Sequence, residues 1–160
     1  MAGKIDNITM ENAKIIFRNF SGKPSRFNKE GDRNFCLVLE DDELITRLRN
    51  DGWNVKATKP RDPDEDPTFY IQVAVKYENI PPKIYMITSH NKNLLTEETV
   101  GSLDYAEIKN IDVIVSPYPW EVNGKFGVKA YCKNMYVTIE EDPFADKYNF
   151  KQIDDEEIPF

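Results

Sequence analysis

Short runs of alternating apolar and polar residues dominate the chain, and no long amphipathic segment interrupts them. The clearest run is residues 68–77, TFYIQVAVKY, which alternates with a period of two. One side carries Phe69, Ile71, Val73, Val75 and Tyr77, and the other carries Tyr70, Gln72, Ala74 and Lys76. This pattern predicts a strand with one side in the core and the other facing outward.

Other β-rich runs lie on both sides of this strand. Residues 13–20 and 33–40 predict a hairpin whose long loop, SGKPSRFNKEGD, is rich in Gly, Ser and Asn. Shorter strands are predicted at residues 53–58 and 84–88. A long hairpin is predicted at residues 111–139, because Asn123-Gly124 is the dipeptide that type I′ turns prefer.

Two short helices complete the pattern. Residues 41–50, DDELITRLRN, have acids in the first turn, Leu44, Ile45 and Leu48 on one face, and Gly52 just past the end. Residues 94–105 are mixed, and a second short helix is predicted there. Six or so strands with so little helix predict a mainly β fold, an OB-fold-like small β-barrel.

The chain has 160 residues, enough for one hydrophobic core and too few for two domains. We expect a barrel domain over residues 1–142 and a disordered acidic tail over residues 143–160. The net charge of the whole chain is −7, and most of it comes from the end of the sequence. From Glu140 onward there are eight acids and only two lysines. The barrel is therefore almost neutral, and the acidity belongs to the tail.

Little in the sequence favours catalysis or a metal. Cys36 and Cys132 lie within predicted strands and are expected to be buried reduced thiols, and the one histidine, His90, has no companion ligands. The carboxylates of KPRDPDEDP could hold Mg²⁺, but the nearby prolines favour a solvated loop: Asp62, Asp64, Glu65 and Asp66. We expect no enzyme activity, no cofactor and no bound metal.

Cations and aromatic rings share the outward sides of several predicted strands. On the return strand of the long hairpin, Lys125, Lys129, Tyr131 and Lys133 share one side with Gly127, and Phe126, Val128, Ala130 and Cys132 are assigned to the other. Single-stranded DNA needs cations for its phosphates and flat rings for its unstacked bases. The candidate DNA contacts are Lys14, Arg18, Phe20, Lys23, Arg26, Phe27, Arg33, Trp53, Lys56, Tyr70, Lys76, Lys125, Lys129, Tyr131 and Lys133. For any one strand the alternative is an ordinary solvated surface.

The last seven residues form a separate motif, DDEEIPF. Four acids precede an apolar end with a free carboxylate, a combination that fits a basic-rimmed hydrophobic pocket on another protein. The alternative is a merely solubilising acidic end, which would leave Ile158 and Phe160 needlessly exposed. The candidate partner-binding residues are Asp154, Asp155, Glu156, Glu157, Ile158, Pro159 and Phe160.

Two resemblances accompany these patterns. The ending is similar to the C-terminal tip of bacterial single-stranded DNA-binding proteins, which docks replication and repair enzymes. The body resembles a family of phage and prophage single-stranded DNA-binding proteins through FRNFSGK (17–23), GDRNF (31–35), GWNVK (52–56), KPRD (59–62) and PYPWEVNGKFGVKAY (117–131). The resemblance implies an OB-fold core and roles in DNA replication, recombination and repair.

The rival interpretation is an adaptor or DNA-mimic inhibitor that uses the tip to engage host repair enzymes without binding DNA. A mimic should spread acid over its folded surface, which the nearly neutral barrel does not do. We expect a cytoplasmic protein with no membrane segment, acting in the bacterial host if it is phage-encoded. The sequence leaves open a monomer or a homodimer, and DNA or RNA preference.

Overall fold

The computed structural model describes residues 4–26 and 28–141. Within these residues no helix is long and apolar enough to cross a membrane. The elements in chain order are β1 (Ile8–Met10), β2 (Ile15–Asn19), β3 (Arg33–Leu39), α1 (Asp42–Asp51), β4 (Lys56–Ala57), β5 (Phe69–Val75), β6 (Lys83–Ile87), β7 (Lys92–Leu95), a 3-10 helix (Val100–Asp104), β8 (Ile108–Val122) and β9 (Lys125–Ile139).

The strands follow the order of an OB-type barrel. The main path runs β1-β8-β9-β5-β3-β2; β5 and β9 are parallel, and the other neighbours on it are antiparallel. The two ends of this path are consecutive in the chain. Ala13 N–H donates to Ile111 O of β8 (2.8 Å), whereas Lys14 O accepts from Val38 N–H of β3 (2.9 Å). The bent segment β1–β2 therefore joins the two edges, and the mainly β, OB-fold-like prediction is confirmed.

Alternation along each strand fills the interior. On β5 the side chains of Ile71, Val73 and Val75 are buried, and the register places Val73 opposite Phe35 of β3 and Ala130 of β9. Helix α1 adds Ile45 and Leu48. Its N-cap residue is Asp41, whose side chain accepts from Glu43 N–H, and its C-cap residue is Gly52, which takes a left-handed conformation (φ 97°).

Two parts of the sheet extend away from the barrel. β6 lies parallel to the second half of β9, and β7 pairs only with β6 among the described residues. The tip of the β8–β9 hairpin is exposed from Pro119 to Phe126. Both extensions place side chains where the barrel core cannot cover them.

Some elements differ from the sequence predictions. Residues 94–105 hold the end of β7 and a 3-10 helix, and β4 covers only two residues of the predicted strand at residues 53–58. β1 was not predicted, because three residues are too few to show a period of two. The predicted tail, residues 143–160, lies outside the described residues.

Candidate nucleic-acid interface

A groove of about 880 Å³ runs across the outer side of β5. Asn34 of β3, Gln72 and Ala74 of β5 and Lys129 of β9 form its floor, because outward residues of neighbouring strands are in register there. The first hairpin loop borders one side, and the β8–β9 hairpin borders the other. The cations that line it are Lys29, Arg33, Lys76 and Lys129, and the carboxylates are Asp32, Glu78 and Glu97.

Tyr131 is the centre of a cluster beside this groove. Its ring meets the Tyr118 ring edge-on, with centroids 5.9 Å apart, and Lys129 Nζ lies 5.3 Å from the Tyr131 centroid. Tyr131 pairs with Ala74 on β5, so the cluster adjoins the groove floor. The predicted lysine–tyrosine combination on β9 is thus brought together, with Tyr118 as a partner that was not predicted.

A second pair of rings lies farther along β5. Tyr70 meets Phe17 edge-on at 6.0 Å, and Lys56 of β4 is its register partner. Phe17 lies within a bulge between β2 and β3 and has φ 53°, which turns its ring outward onto Tyr70. Ala74, the register partner of Tyr131, comes four positions after Tyr70 on β5, which is about 13 Å along the strand.

The exposed tip of the β8–β9 hairpin, from Pro119 to Phe126, forms a hairpin arm whose aromatic residues the sequence predictions missed. Phe126 was assigned to the core side of β9 but is 73% exposed, because the hairpin extends past the barrel at this point. Trp120 covers Gly127 so closely that a methyl group at Gly127 would come within 2.7 Å of Trp120 Cζ2. Trp120 and Phe126 both line the groove, and alternation alone could not show where β9 leaves the core.

Two predicted stacking rings belong to the core instead. Phe20 is 0% exposed and stacks on Phe35, with centroids 5.4 Å apart. Trp53 lines the groove but is only 4% exposed, so its ring face is not available for a base. Phe20 follows the bulge in β2 and Trp53 follows the turn at the end of α1, and at both places the period of two that assigns sides is lost.

The predicted cations do not form one surface. Arg18 donates to the carbonyl oxygens of Leu103 (2.9 Å) and Ala106 (2.8 Å), which ties β2 to the 3-10 helix. Lys14 pairs with Glu40 at 3.4 Å, and Lys23 bonds to the Tyr105 hydroxyl. Predicted residues with exposed positions elsewhere are Arg26, Lys125 and Lys133. Phe27 and the DDEEIPF tip, residues 154–160, lie outside the described residues.

Residues 2–159 match the family model described as "Putative phage ssDNA-binding domain". The chain belongs to this phage single-stranded DNA-binding family. No curated protein sequence matches it. Among solved structures, the fold is similar to the single-stranded DNA-binding protein of bacteriophage Enc34 in complex with ssDNA, with TM-score 0.54, 12% identity and coverage of 86% of this chain and 89% of that one. A second structure of the Enc34 protein gives TM-score 0.53, 12% identity and coverage of 89% and 86%.

In this member of the phage single-stranded DNA-binding family, some residues that line the groove also have buried polar atoms without a partner. Among the described residues, three buried side-chain polar atoms lack a partner: Arg33 Nε, Trp53 Nε1 and the Tyr77 hydroxyl. All three residues line the groove. Burial raises the pKa of Tyr77 to about 12, so this hydroxyl keeps its proton at neutral pH. These buried atoms are therefore not presented to a ligand in the groove.

A larger cavity of about 1370 Å³ lies elsewhere on the barrel, between the β1–β2 bend and residues 105–111. More acids than cations line this cavity. The cations are Lys14, Arg18 and Lys109, and the acids are Glu40, Asp42, Asp66 and Glu107. The neighbouring acidic loop is exposed, and Asp62 accepts from Asp64 N–H in a local turn. Within residues 4–26 and 28–141, no three potential ligands group around a metal position.

Proposed function

We propose that single-stranded DNA binds along the outer side of β3, β5 and β9, with its bases on the tyrosine clusters and its backbone beside the groove cations. The observation that carries this proposal is the Tyr118–Tyr131–Lys129 cluster at the edge of a groove lined by four cations, in a chain of this family. Unstacked bases bind rings regardless of sequence, because every base has a flat face.

The groove favours one strand over a duplex. Base edges are paired and stacked inside a duplex, so rings such as Tyr131 and Phe17 would have no face to contact. Arg33 is held by long contacts, 3.4 Å to Glu97 and 3.5 Å to the Gly31 carbonyl oxygen, and a phosphate oxygen could replace the Glu97 carboxylate beside the guanidinium. Cations and rings therefore act on different parts of the same strand.

The hairpin arm closes one side of this path. Trp120 and Phe126 line the groove, and exposed Lys125 is the first residue after the Asn123-Gly124 turn. An arm of this kind can pack against a strand that already lies on the floor. The proposed contacts are then Arg33, Tyr70, Lys76, Lys129 and Tyr131 from the predicted set, together with Phe17, Tyr118, Trp120 and Phe126.

The wider role follows from the family and from the chain end. A sequence-tolerant binder would coat and protect unpaired DNA during replication, recombination or repair in the cytoplasm of the bacterial host. Its acidic tip, residues 154–160, would recruit host or phage enzymes whose pockets accept an acidic Ile-Pro-Phe end. This role requires no catalytic step by the protein itself.

Fluorescence anisotropy with a labelled oligo-dT strand tests the DNA site. The wild type should bind, and its affinity should fall with salt at a log–log slope of about −0.7 per phosphate contact. Tyr131→Ala should weaken binding by at least about fivefold, the low end of one base–ring stack. Tyr131→Phe keeps the ring and should bind nearly as the wild type does.

The outcomes separate the rival functions. Normal affinity of a folded Tyr131→Ala protein would remove Tyr131 from the site. A wild type that binds partner enzymes through the tip but binds no oligonucleotide at low salt would favour the adaptor.

A further inference from the structure

A group of three side chains on β6, β7 and the second half of β9 lies outside the groove. The Tyr85 and Tyr136 rings stack with centroids 5.1 Å apart and planes 15° apart. Lys92 Nζ lies 4.5 Å from the Tyr85 centroid and 5.5 Å from the Tyr136 centroid. The stack forms because Tyr85 and Tyr136 are register partners on neighbouring parallel strands.

This group does not belong to the core. Ile84 and Met135, the register pair before it, are fully buried on the other side of the sheet. Tyr136 is 37% exposed, and Leu94, the register partner of Tyr85, is 56% exposed. The two rings pack on each other and on Lys92 rather than on the core, so the exposed part of Tyr136 is open to a ligand.

A bulge in β9 places this group on the same side as the groove cluster. Tyr131 and Tyr136 are five residues apart, so a regular strand would point them to opposite sides. Cys132 pairs with Val115 and Asn134 pairs with Ile114, which leaves Lys133 as an extra residue. The bulge shifts the alternation by one, and both tyrosines face outward with exposed Lys133 between them.

The charges around the group favour a polyanion. Lys92 lies over the rings, and Lys83 and Lys133 are exposed nearby on β6 and β9. Asp112, opposite Tyr136 on β8, accepts from Asn12 N–H (3.1 Å) and Asn110 Nδ2 (3.3 Å), and Glu141 accepts from Ser89 N–H (3.3 Å) at the turn between β6 and β7. These donors are neutral and leave both carboxylates charged, so the three lysines face two acids around the group.

We propose that Tyr85, Tyr136 and Lys92 form a second contact site for single-stranded nucleic acid, which continues the path from Tyr131 along β9. This inference rests on the proposed function of the groove. The two sites are about 16 Å apart along the strand. A polynucleotide with at least about 3.4 Å per residue spans that distance with roughly five nucleotides or fewer.

The test compares two oligonucleotide lengths. The short probe is the shortest oligo-dT that binds the wild type, and the long probe is roughly ten nucleotides longer, within the range that one OB fold covers. Tyr136→Ala and Lys92→Ala should leave the affinity for the short probe unchanged. Tyr136→Ala should lower the affinity for the long probe by at least about fivefold, as expected for one lost stack.

Two control variants make the result specific. Tyr136→Phe keeps the stacked ring and should bind both probes as the wild type does. Tyr131→Ala should weaken binding of both probes, because each of them must occupy the groove.

Failure of the second site and failure of the proposed function give different results. If the wild type binds neither probe, the proposed function itself is wrong. If the wild type binds both probes and Tyr136→Ala behaves identically to it, the second site is wrong and the groove stands. A Tyr136→Ala variant whose mass in solution changes while its DNA affinity does not would also overturn the second site, in favour of a protein contact.

Discussion

At the scale of single residues, the barrel interior controls the ionisation of two groups near the groove. Burial raises the pKa of the Cys132 thiol from 9.0 to about 12, and burial also raises the pKa of Tyr77 to about 12. Both groups are neutral in the folded protein at pH 7. Their raised pKa values mean that the folded state holds these protons more tightly than the unfolded state does.

Stability should therefore fall in alkali. Below pH 9 the Cys132 thiol is protonated in both states and contributes no pH dependence. As the pH rises from 9.0 toward about 12, only the unfolded state loses this proton, and Cys132 lowers the free energy of unfolding by at most roughly 1.4 kcal/mol per pH unit. Above pH 10.0, Tyr77 adds a decrease of the same sign. Urea unfolding at several values from roughly pH 8 to 11 measures this slope.

Cys132→Ala should flatten that slope, whereas Cys36→Ala should change it less, since Cys36 lies on the outer side of β3 beside Gln72. Burial raises the Cys36 pKa too, but the nearby Lys56 opposes that effect. Equal slopes for the wild type and Cys132→Ala would contradict the assignment.

At the scale of elements, one carboxylate fixes the start of the first hairpin loop. Asp104, the last residue of the 3-10 helix, accepts from Phe20 N–H (2.6 Å), Ser21 N–H (3.0 Å) and the Ser21 hydroxyl. Gly101 lies against Ser21, with only 3.1 Å between Ser21 Cβ and a methyl group placed there. The loop that borders the groove thus leaves the barrel from a fixed position.

Asp104→Ala should destabilise the protein by about 2 kcal/mol or more, because two backbone N–H groups lose a charged acceptor. Ser21→Ala removes only the hydroxyl bond and should cost about 1 kcal/mol. Chemical denaturation of the three proteins provides the comparison. An Asp104→Ala protein as stable as Ser21→Ala would show that the backbone bonds to Asp104 contribute nothing measurable.

Local pattern decided which elements could be predicted. Alternation identified both sides of β5, and Asn123-Gly124 identified the β8–β9 turn, whose residues both have positive φ. The bulge at Lys133 arises from pairing between β8 and β9, so no single-strand pattern indicates it. Phe126 was misassigned for a similar reason: its exposure depends on where the hairpin leaves the barrel, which is a property of the tertiary structure.

At the scale of the whole molecule, charge is divided between the folded body and the chain end. The barrel carries nearly balanced charge, and the acids of the tip lie within residues 154–160. For a tail with coil statistics, residues 143–160 would reach roughly 25 Å. The tip is then the nearest polyanion to the groove, at a high effective concentration.

Removal of residues 154–160 should therefore raise the affinity for oligo-dT in low salt, because DNA would no longer compete with the tip for Arg33, Lys76 and Lys129. This gain in affinity should shrink as salt increases, since salt screens the attraction between the tip and the groove cations. Replacing the four acids with Asn and Gln while keeping Ile-Pro-Phe should raise the DNA affinity by the same amount. Phe160→Ala should leave the DNA affinity unchanged and abolish docking of partner enzymes. An affinity that stays equal or falls after the deletion would mean that the tip does not occupy the groove, and its role would then be confined to recruitment.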